Sequence, residues 1–435
     1  MIDVAGVSFG FMLMIVLMII GLPVAISLFF TAFIGAWALL GTSTLLGFGN
    51  SMWSGQNDFI LTAIPLFVFL GEILVRSGVA NGLYSCLSDW LRLLPGGLLH
   101  SNIGASAAFA AVSGSSVATA ATIGTVALPI LRQRKYDDRI TTGSIAAGAT
   151  LGILIPPSIN MIIYGSMTNT SIGQLFAAGV VPGILLTLVF MAFIIGVSVL
   201  KPHLAGERLP ARPWSDRIAS LIDILPPLVI FAVVMGTIYL GWATPTESAA
   251  IGVVCALIVT VLKGRFSFEL LHEAMHATVR ISAMILLILV GAHFLNFVIG
   301  LIGVPQALTQ LVANMGAGPT EILLLLIVFY LVLGCFMETL SMMIATLPVV
   351  FPLIAHLGID PVWFGIFLVV MMEVGLITPP VGMNLYVVQG VRGTGSIMDV
   401  ISGTAPFVVL MLAFVGWLMI WPNMALWLPN LLFAQ

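Results

Sequence analysis

The sequence predicts an all-α polytopic membrane protein built from two inverted repeats, each holding a re-entrant hairpin and a broken helix. Composition is the first observation, since 60% of the 435 residues are hydrophobic and only 7% are charged. Apolar runs long enough to span a bilayer recur along the chain, for example Leu175–Leu200 and Ile281–Ile302. The second observation is a motif, GILIPPS at Gly152–Ser158, which returns as GLITPPV at Gly375–Val381.

Each double proline interrupts an apolar segment. Proline removes a backbone donor and clashes with the preceding turn, so carbonyl groups are freed where water does not reach them. Similarity around the two prolines extends over Leu151–Pro182 and Val374–Pro406. The chain therefore contains two related halves, about residues 58–185 and 281–409, with further helices before, between and after them.

The amino terminus, MIDVAGVS, contains no Lys or Arg, so it lacks the basic flank of a cleaved secretory signal. We therefore expect the first apolar segment to be a retained helix. Cys86, Cys255 and Cys335 are far apart and odd in number, which indicates neither a disulfide framework nor a thiolate site for a transition metal. A net charge of −3 with dispersed basic residues gives no support for nucleic-acid binding.

Basic residues predict how the halves are oriented. In the first half, LRQRKYDDR at 131–139 marks a cytoplasmic loop under the positive-inside rule, whereas the matching IAHLGIDP has no Lys or Arg. Beyond the double proline the asymmetry reverses, because SMTNTSIG is uncharged and GVRGTGS contains Arg392. With further cytoplasmic loops at Lys201–Arg217 and Lys263–Arg265, this pattern predicts ten crossings with both termini outside.

Two long segments, Leu98–Ile130 and Ile322–Leu357, do not fit as single crossings. Each holds small and polar residues near its centre, SGSSVAT in the first and METLS in the second. We expect each segment to be a re-entrant hairpin whose tip reaches the bilayer midplane. Two amphipathic stretches, Tyr84–Leu94 and Phe268–Arg280, are expected to lie along the membrane surface.

Inverted repeats, hairpins and broken helices are the parts of a secondary transporter, in which ion and substrate sites form at the midplane between the repeats. Freed carbonyl and hydroxyl oxygens suit sodium, so we predict one sodium site between each hairpin tip and its broken helix. The first would combine Ser113, Ser115 and Ser116 with Gly152, Ile155 and Pro157, and the second Glu338, Thr339 and Ser341 with Gly375, Thr378 and Pro380. Half-helix amino termini favour a carboxylate substrate, to whose oxygens Asn160 and Asn384 would donate.

Several polar features have a structural alternative. The run SGSSVATAAT also fits a small-residue surface for helix packing, but the matched double prolines favour binding sites. Glu247 follows a proline and is expected to stabilise a helix amino terminus. Glu72 and Glu373 have no evident basic partner. Glu338, on a hairpin tip, is the best candidate for an ion or proton role, and a hydrogen-bonded structural acid fits equally well.

The pentapeptide HEAMH, His272–His276, matches the HExxH pattern of zinc proteases. A catalytic zinc also needs a third ligand and a sheltered cleft, and His293 is the only other nearby histidine. The match lies in the amphipathic stretch FSFELLHEAMHATVR, directly after the basic KGR. A solvated interfacial helix explains it better, and we expect no enzyme activity and no catalytic residue.

Four motifs, in this order, carry a resemblance to a known family: GSSVATAATIGTVALP, LGILIPPS, TPTESAAIGV and GLITPPVGMNLYV. Together they resemble the large membrane subunit of TRAP transporters, the tripartite ATP-independent periplasmic systems of DctM type. The resemblance covers essentially the whole chain. It implies sodium-driven uptake of organic acids such as C4-dicarboxylates or sialic acid across the bacterial inner membrane.

The resemblance also implies partners and a mechanism. A periplasmic substrate-binding protein would deliver the substrate, and a small four-helix membrane subunit would be a separate polypeptide. Transport would follow an elevator mechanism, in which hairpins and broken helices move against a static scaffold. The implied divisions are 1–96 (scaffold with an interfacial helix), 97–182 (moving), 183–319 (scaffold with an interfacial helix), 320–398 (moving) and 399–435 (carboxy-terminal scaffold).

One position departs from the family pattern, because relatives commonly have Asp where Glu338 stands in the second tip. No GxxxxGK[ST] loop occurs, in agreement with gradient-driven transport. Three alternatives stay open: a stand-alone carboxylate or ion transporter of similar fold, an intramembrane HExxH metalloprotease, and a channel. The sequence does not identify the organic acid.

Overall fold

The computed structural model describes residues 4–41, 44, 47–207 and 212–433. The first residues of the expected retained helix and part of the basic loop Lys201–Arg217 lie outside these ranges. Within them, all regular secondary structure is helical. The chain begins with α1 Val4–Ile19, α2 Val24–Gly35, α3 Gly47–Gln56 and α4 Ala63–Arg76, the last preceded by a short 3-10 turn at Phe59–Thr62.

The first half continues as a short amphipathic helix, two helices joined by a two-residue break, and a long helix that breaks before a short one. These are α5 Val79–Leu91, α6 Leu98–Ser113, α7 Ser116–Gln133, α8 Asp138–Leu154 and α9 Ile159–Thr168. The connecting helices are α10 Ile172–Leu200, α11 Trp214–Ser220, α12 Leu225–Tyr239, α13 Pro245–Leu262 and α14 Phe268–Ile302.

The second half repeats this order of elements. It consists of α15 Val304–Met315, α16 Pro319–Gly334, α17 Thr339–His356, α18 Pro361–Leu376, α19 Met383–Arg392 and α20 Ile397–Ile420, and the chain ends with α21 Asn423–Phe433. Helices α4 to α10 thus correspond in order and character to α14 to α20. Both predicted hairpins are pairs of helices broken at the polar centre, and both double prolines lie in helix breaks.

The two broken helices run antiparallel. Arg392, at the end of α19, donates to Asp138 at the start of α8 over 2.9 Å and to Asp399 over 3.2 Å. At the opposite end, the Tyr164 hydroxyl of α9 donates to the Pro361 carbonyl at the start of α18 over 2.6 Å. The start of each broken helix therefore lies beside the end of the other, which is the arrangement that inverted repeats require.

In the described ranges, seven helices are long and apolar enough to cross a membrane, or eight if the bent pair of α11 and α12 is one span. Four shorter apolar helices accompany them. The most apolar 18-residue stretch of the α8–α9 segment is 94% buried, whereas that of α10 is only 28% buried, and α10 exposes apolar side chains such as Ile184 and Leu188. The protein thereby shields the broken backbone from lipid, where its freed polar groups would have no partner. The ten crossings remain a prediction.

The structure corrects the expectation for Phe268–Arg280. This stretch is not a separate surface helix, because it continues without interruption into α14, a single helix of 35 residues. Such a helix is about 52 Å long, well beyond the ~30 Å hydrocarbon core, so one end extends past the bilayer. The short amphipathic helix of the second half is α15, which begins after Gly303 adopts a φ of 82°. Tyr84–Leu94 does correspond to a separate helix, α5.

Helix α10 crosses one of the expected domain boundaries, and α20 packs closely against a helix of another expected division. The boundary at 182 falls inside α10, which is one continuous helix. In α20, a methyl group on Gly403 would come within 1.9 Å of the Arg139 carbonyl oxygen, and one on Gly143 within 2.1 Å of the Gly403 carbonyl. Because α8 and α20 touch backbone to backbone, α20 lies tightly against the first broken helix.

Candidate ion and substrate site

The first hairpin tip is shaped by glycine and serine. Gly114 adopts a φ of +60°, which a residue with a side chain rarely adopts, and thereby separates α6 from α7. Ser115 then caps α7, because its hydroxyl accepts from the Ala118 amide over 3.3 Å. Thr119 donates to the Ser115 carbonyl over 2.7 Å, and its hydroxyl lies 3.0 Å from that of Ser113. A glycine and small polar residues therefore form the tip.

The first broken helix contacts this tip through its backbone. A methyl group on Gly152 would come within 2.9 Å of the Ser115 carbonyl oxygen and of the Ser116 amide. A methyl group on Gly114 would come within 2.9 Å of the Pro157 carbonyl oxygen. Glycine is required at both positions because the two backbones approach closely.

The structure therefore brings together Ser115, Ser116, Gly152 and Pro157, which the sequence predicts at one site, and adds Gly114 to them. Ser113 lies at the same tip, with its carbonyl against Gly71 of α4. The Ile155 side chain packs against Gly183 of α10, and its amide donates to the Leu151 carbonyl over 3.0 Å. Ile155 thus contributes only its carbonyl to any site here.

The second tip has a different arrangement. Glu338 caps α17, accepting at Oε1 from the Ser341 amide over 3.2 Å and from the Ser341 hydroxyl over 2.8 Å. Contact with the second broken helix comes instead from the preceding arm: a methyl group on Gly334 would come within 2.5 Å of the Gly375 Cα. The Cys335 thiol also donates to the Pro379 carbonyl over 3.1 Å.

The remaining predicted residues of the second site are placed as follows. Thr339 is buried at the first turn of α17. Thr378 donates to the Val374 carbonyl over 2.6 Å, and the Tyr386 hydroxyl donates to the Pro380 carbonyl over 3.2 Å. The hydroxyl of Thr378 is thus already engaged, although its lone pairs remain available to a cation.

Two asparagines follow the breaks. Asn160 and Asn384 are 2% and 0% exposed, so a polar atom there needs a partner. Among the described residues, Asn160 Nδ2 and Asn384 Oδ1 have no hydrogen-bond partner, and Asn384 Nδ2 reaches only the Ala146 carbonyl, at 3.5 Å. Each has unused hydrogen-bonding capacity in the protein interior, as residues that meet a polar ligand would.

Glu373, for which the sequence shows no basic partner, contacts the first hairpin tip, and the sequence did not predict this contact. It lies in α18, is 1% exposed, and accepts at Oε1 from the Ser116 hydroxyl of the first hairpin tip over 2.6 Å. The signal available in the sequence was an acid close to the second double proline in an apolar helix, which is a functional hypothesis by default. Its partner could not be seen, because Ser116 lies 257 residues away in the chain.

The other acids have structural roles. The expectation that Glu72 lacks a basic partner is wrong, because Arg76, one turn later in α4, forms an ion pair with it. A spacing of four residues places both side chains on one helix face. Glu247 forms a capping box with Thr244 at the start of α13, as expected for a helix amino-terminal residue.

The HEAMH sequence forms no metal site that the structure supports. His272 and His276 have ring centroids 6.5 Å apart, beside a cavity of about 480 Å³. Glu273, the residue that would act as general base, pairs with Arg76 over 3.4 Å. Among the described residues no group of three or more His, Cys, Asp or Glu side chains could hold a metal ion.

The sequence and the fold of this chain are similar to those of known proteins. The family model "Tripartite ATP-independent periplasmic transporter, DctM component" matches residues 11–424. The chain belongs to this family. It is therefore a multi-pass membrane protein and the large permease of a TRAP transporter, and its relatives are transporter permeases rather than enzymes.

Several characterised relatives match along nearly their whole length. The C4-dicarboxylate TRAP transporter large permease of Rhodobacter capsulatus is 35% identical, with 98% of this chain and 99% of the relative aligned. The sialic acid TRAP large permease of Vibrio cholerae is 31% identical over 95% of this chain and 96% of its own. The ectoine/5-hydroxyectoine TRAP large permease of Ruegeria pomeroyi is also 31% identical, over 98% and 99%.

Two solved structures share the fold. The Alcanivorax borkumensis YdaH transporter has a TM-score of 0.62 at 16% identity, covering 88% of this chain and 89% of its own. Neisseria gonorrhoeae MtrF has a TM-score of 0.60 at 12% identity, covering 94% of each chain. At such identities the similarity concerns the fold alone.

Proposed function

We propose that this large permease imports an organic acid anion across the bacterial inner membrane, driven by sodium. The observation that carries the proposal is the backbone contact between the first hairpin tip and the first broken helix. Carbonyl groups at Ser115 and Pro157 lie beside Gly152 and Gly114 in a buried region. Carbonyl and hydroxyl oxygens at helix breaks are the usual ligands of a coupling sodium ion, and half-helix amino termini attract the carboxylate of a substrate.

The substrate is proposed as a class. Relatives are named for C4-dicarboxylates, sialic acid and ectoine, and each of these compounds carries a carboxylate. The unpartnered amide atoms of Asn160 and Asn384 would hydrogen-bond such a group. In this family a small membrane subunit and a periplasmic binding protein work with the large permease, and we propose the same two partners here.

We further propose an elevator movement for this permease. The hairpins and broken helices, residues 97–182 and 320–398, would move together and carry the sites across the membrane. The α8–α9 segment is the most buried of the long apolar segments. Movement as a unit would keep its freed backbone groups shielded from lipid throughout the cycle.

Uptake into proteoliposomes tests the proposal. The permease and its small subunit are reconstituted, and uptake of labelled C4-dicarboxylate and of sialic acid is measured with and without binding protein and an inward sodium gradient. We expect uptake only when both are present. Uptake without the binding protein would indicate a stand-alone transporter, and uptake that ignores sodium would contradict the coupling.

The substitution Gly152→Ala tests whether the ion binds at the first hairpin tip. The added methyl group meets backbone atoms of Ser115 and Ser116 at 2.9 Å, so the tip must shift and the carbonyl geometry is lost. We expect uptake to fall at least tenfold, with a loss of stability of about 1–3 kcal/mol. Gly390→Ala is the matched control, because Gly390 is exposed on α19 and nothing lies within 4 Å of an added methyl group. Equal uptake by the two variants would place the ion elsewhere.

A further inference from the structure

Glu373 joins the two halves of the molecule at the first proposed sodium site. It belongs to α18 of the second half, yet its Oε1 accepts from the Ser116 hydroxyl of the first hairpin over 2.6 Å. The backbone amide of the same Ser116 lies 2.9 Å from where a methyl group on Gly152, in the first broken helix, would be. A carboxyl from one half thus lies where the tip and broken helix of the other half meet.

No cationic side chain among the described residues balances this carboxyl group. None of the ion pairs among the described residues involves Glu373, and its Oε2 is buried without a hydrogen-bond partner in that part of the chain. A carboxylate in the protein interior is costly unless a cation or several donors stabilise it. The unused oxygen points to a ligand that none of the described residues supplies.

The surroundings favour sodium as that ligand. The Ser116 hydroxyl keeps lone pairs while it donates to Glu373, and the Ser115 and Pro157 carbonyls lie at the same contact between tip and break. These are neutral oxygen ligands, which suit a hard monovalent cation. Because no nitrogen or sulfur ligand takes part, a transition metal is not favoured.

We propose that Glu373 Oε2 is the anionic ligand of the sodium ion at the first-half site, an inference that rests on the proposed function. The site is then composite, with neutral oxygens from the first half and the charge from the second. Sodium binding would hold the two halves together and neutralise the carboxylate. The moving segments would then cross the bilayer without an uncompensated charge at this position.

Sodium binding to the purified permease, without substrate or binding protein, is the test. Thermal unfolding in choline chloride is compared with unfolding in increasing sodium chloride at constant ionic strength, since a bound ligand raises the melting temperature by mass action. Glu373→Gln keeps the shape and the acceptor for Ser116 but removes the charge. We expect its apparent sodium affinity to fall at least tenfold, and that of Glu373→Asp to fall less.

A stability readout separates loss of the ligand from loss of the fold. In choline, Glu373→Gln should melt at or above the temperature of the unsubstituted protein, because the variant no longer buries a charge. Glu72→Gln is the control, because Glu72 is an acid in an apolar helix that already pairs with Arg76, and it should keep the normal sodium response.

The outcomes distinguish this inference from the proposed function. If the unsubstituted protein responds to sodium and Glu373→Gln responds equally, Glu373 is not a ligand, although sodium coupling still stands. If Glu373→Gln melts far below the unsubstituted protein in choline, its carboxyl is structural and the inference is overturned. If the unsubstituted protein itself shows no response to sodium, the coupling proposed above fails first.

Discussion

Glu338 at the second hairpin tip serves as the N-cap residue of α17. Its Oε1 satisfies the Ser341 amide at the start of α17, which is the task of an N-cap residue. Aspartate is a good N-cap because its shorter chain reaches the same amides. Glutamate has a longer side chain than aspartate, but at position 338 it still accepts from a backbone amide in the first turn of the helix, as an aspartate would.

Substitution of Glu338 tests this role. We expect Glu338→Ala to lower the free energy of unfolding by about 1 kcal/mol, because the Ser341 amide loses its partner, whereas Glu338→Asp should lose less than about 0.5 kcal/mol. Thermal unfolding of the purified permease measures both. Equal losses in the two variants would show that the side-chain length, and not the cap, decides stability here.

At the residue level, the sequence predicts which groups lie together where the signal is local, while their role in ion binding stays a prediction. Ser115, Ser116 and Gly152 were found because small polar residues and a double proline are visible within one short segment. Glu72 could also have been paired with Arg76 by helical spacing alone. Glu373 could not, because its partner Ser116 is adjacent only after both halves have folded together.

At the scale of elements, the crossing of α8 and α20 is the tightest contact between the first broken helix and the carboxy-terminal part of the chain. Gly143 and Gly403 allow the two backbones to meet without intervening side chains. Membrane helices use small residues in this way because close approach gains van der Waals contact and lipid offers no hydrophobic driving force. Under the proposed division, in which residues 399–435 belong to the scaffold, this close contact is one that an elevator movement would have to break.

Gly403→Ala tests this crossing. The methyl group would come within 1.9 Å of the Arg139 carbonyl, so the helices must separate, and we expect a loss of about 1–3 kcal/mol in the free energy of unfolding. Gly416→Ala, in the same helix, is the control, since nothing lies within 4 Å of its added methyl group. A similar melting temperature for both variants would mean that α8 and α20 do not meet as closely as described.

The order of helices was more predictable than their boundaries. Proline pairs, polar tips and basic loops mark breaks directly, so both broken helices and both paired-helix segments were placed correctly. The end of an amphipathic stretch gives no such mark. Phe268–Arg280 changes composition at Ile281, but no proline stops the helix there, and α14 continues to Ile302.

For the whole molecule, the contacts between scaffold and moving segments are those that an elevator must break. At the end of the molecule near Pro361, Asp58, in a segment proposed to be scaffold, accepts from the Ser166 hydroxyl of α9 over 2.7 Å. Deeper in the protein, Gly71 of α4 lies against the Ser113 carbonyl at the hairpin tip. Both contacts join a segment expected to stay fixed to one expected to move.

A reversible cross-link between Asp58 and Ser166 tests the division. Cysteines replace both residues in a chain whose Cys86, Cys255 and Cys335 have been changed to serine, and a short bis-methanethiosulfonate reagent joins them before reconstitution. We expect uptake to be lost and to return with a reductant, because α9 can no longer move away from the scaffold. Sodium-dependent stabilisation should persist, since the link leaves the first tip and its broken helix in contact.

The control cross-link joins two residues that should move together. Arg132 of α7 donates to Thr394, after α19, over 3.0 Å, and both lie within the segments proposed to move. Cysteines at these positions, joined by the same reagent, should leave uptake close to that of the unlinked pair. Rigid-body motion changes only distances between bodies, so a link within one body should not affect transport. If the Arg132–Thr394 link stops uptake as well, residues 97–182 and 320–398 do not form a single moving body. The same conclusion follows if the Asp58–Ser166 link leaves uptake unchanged.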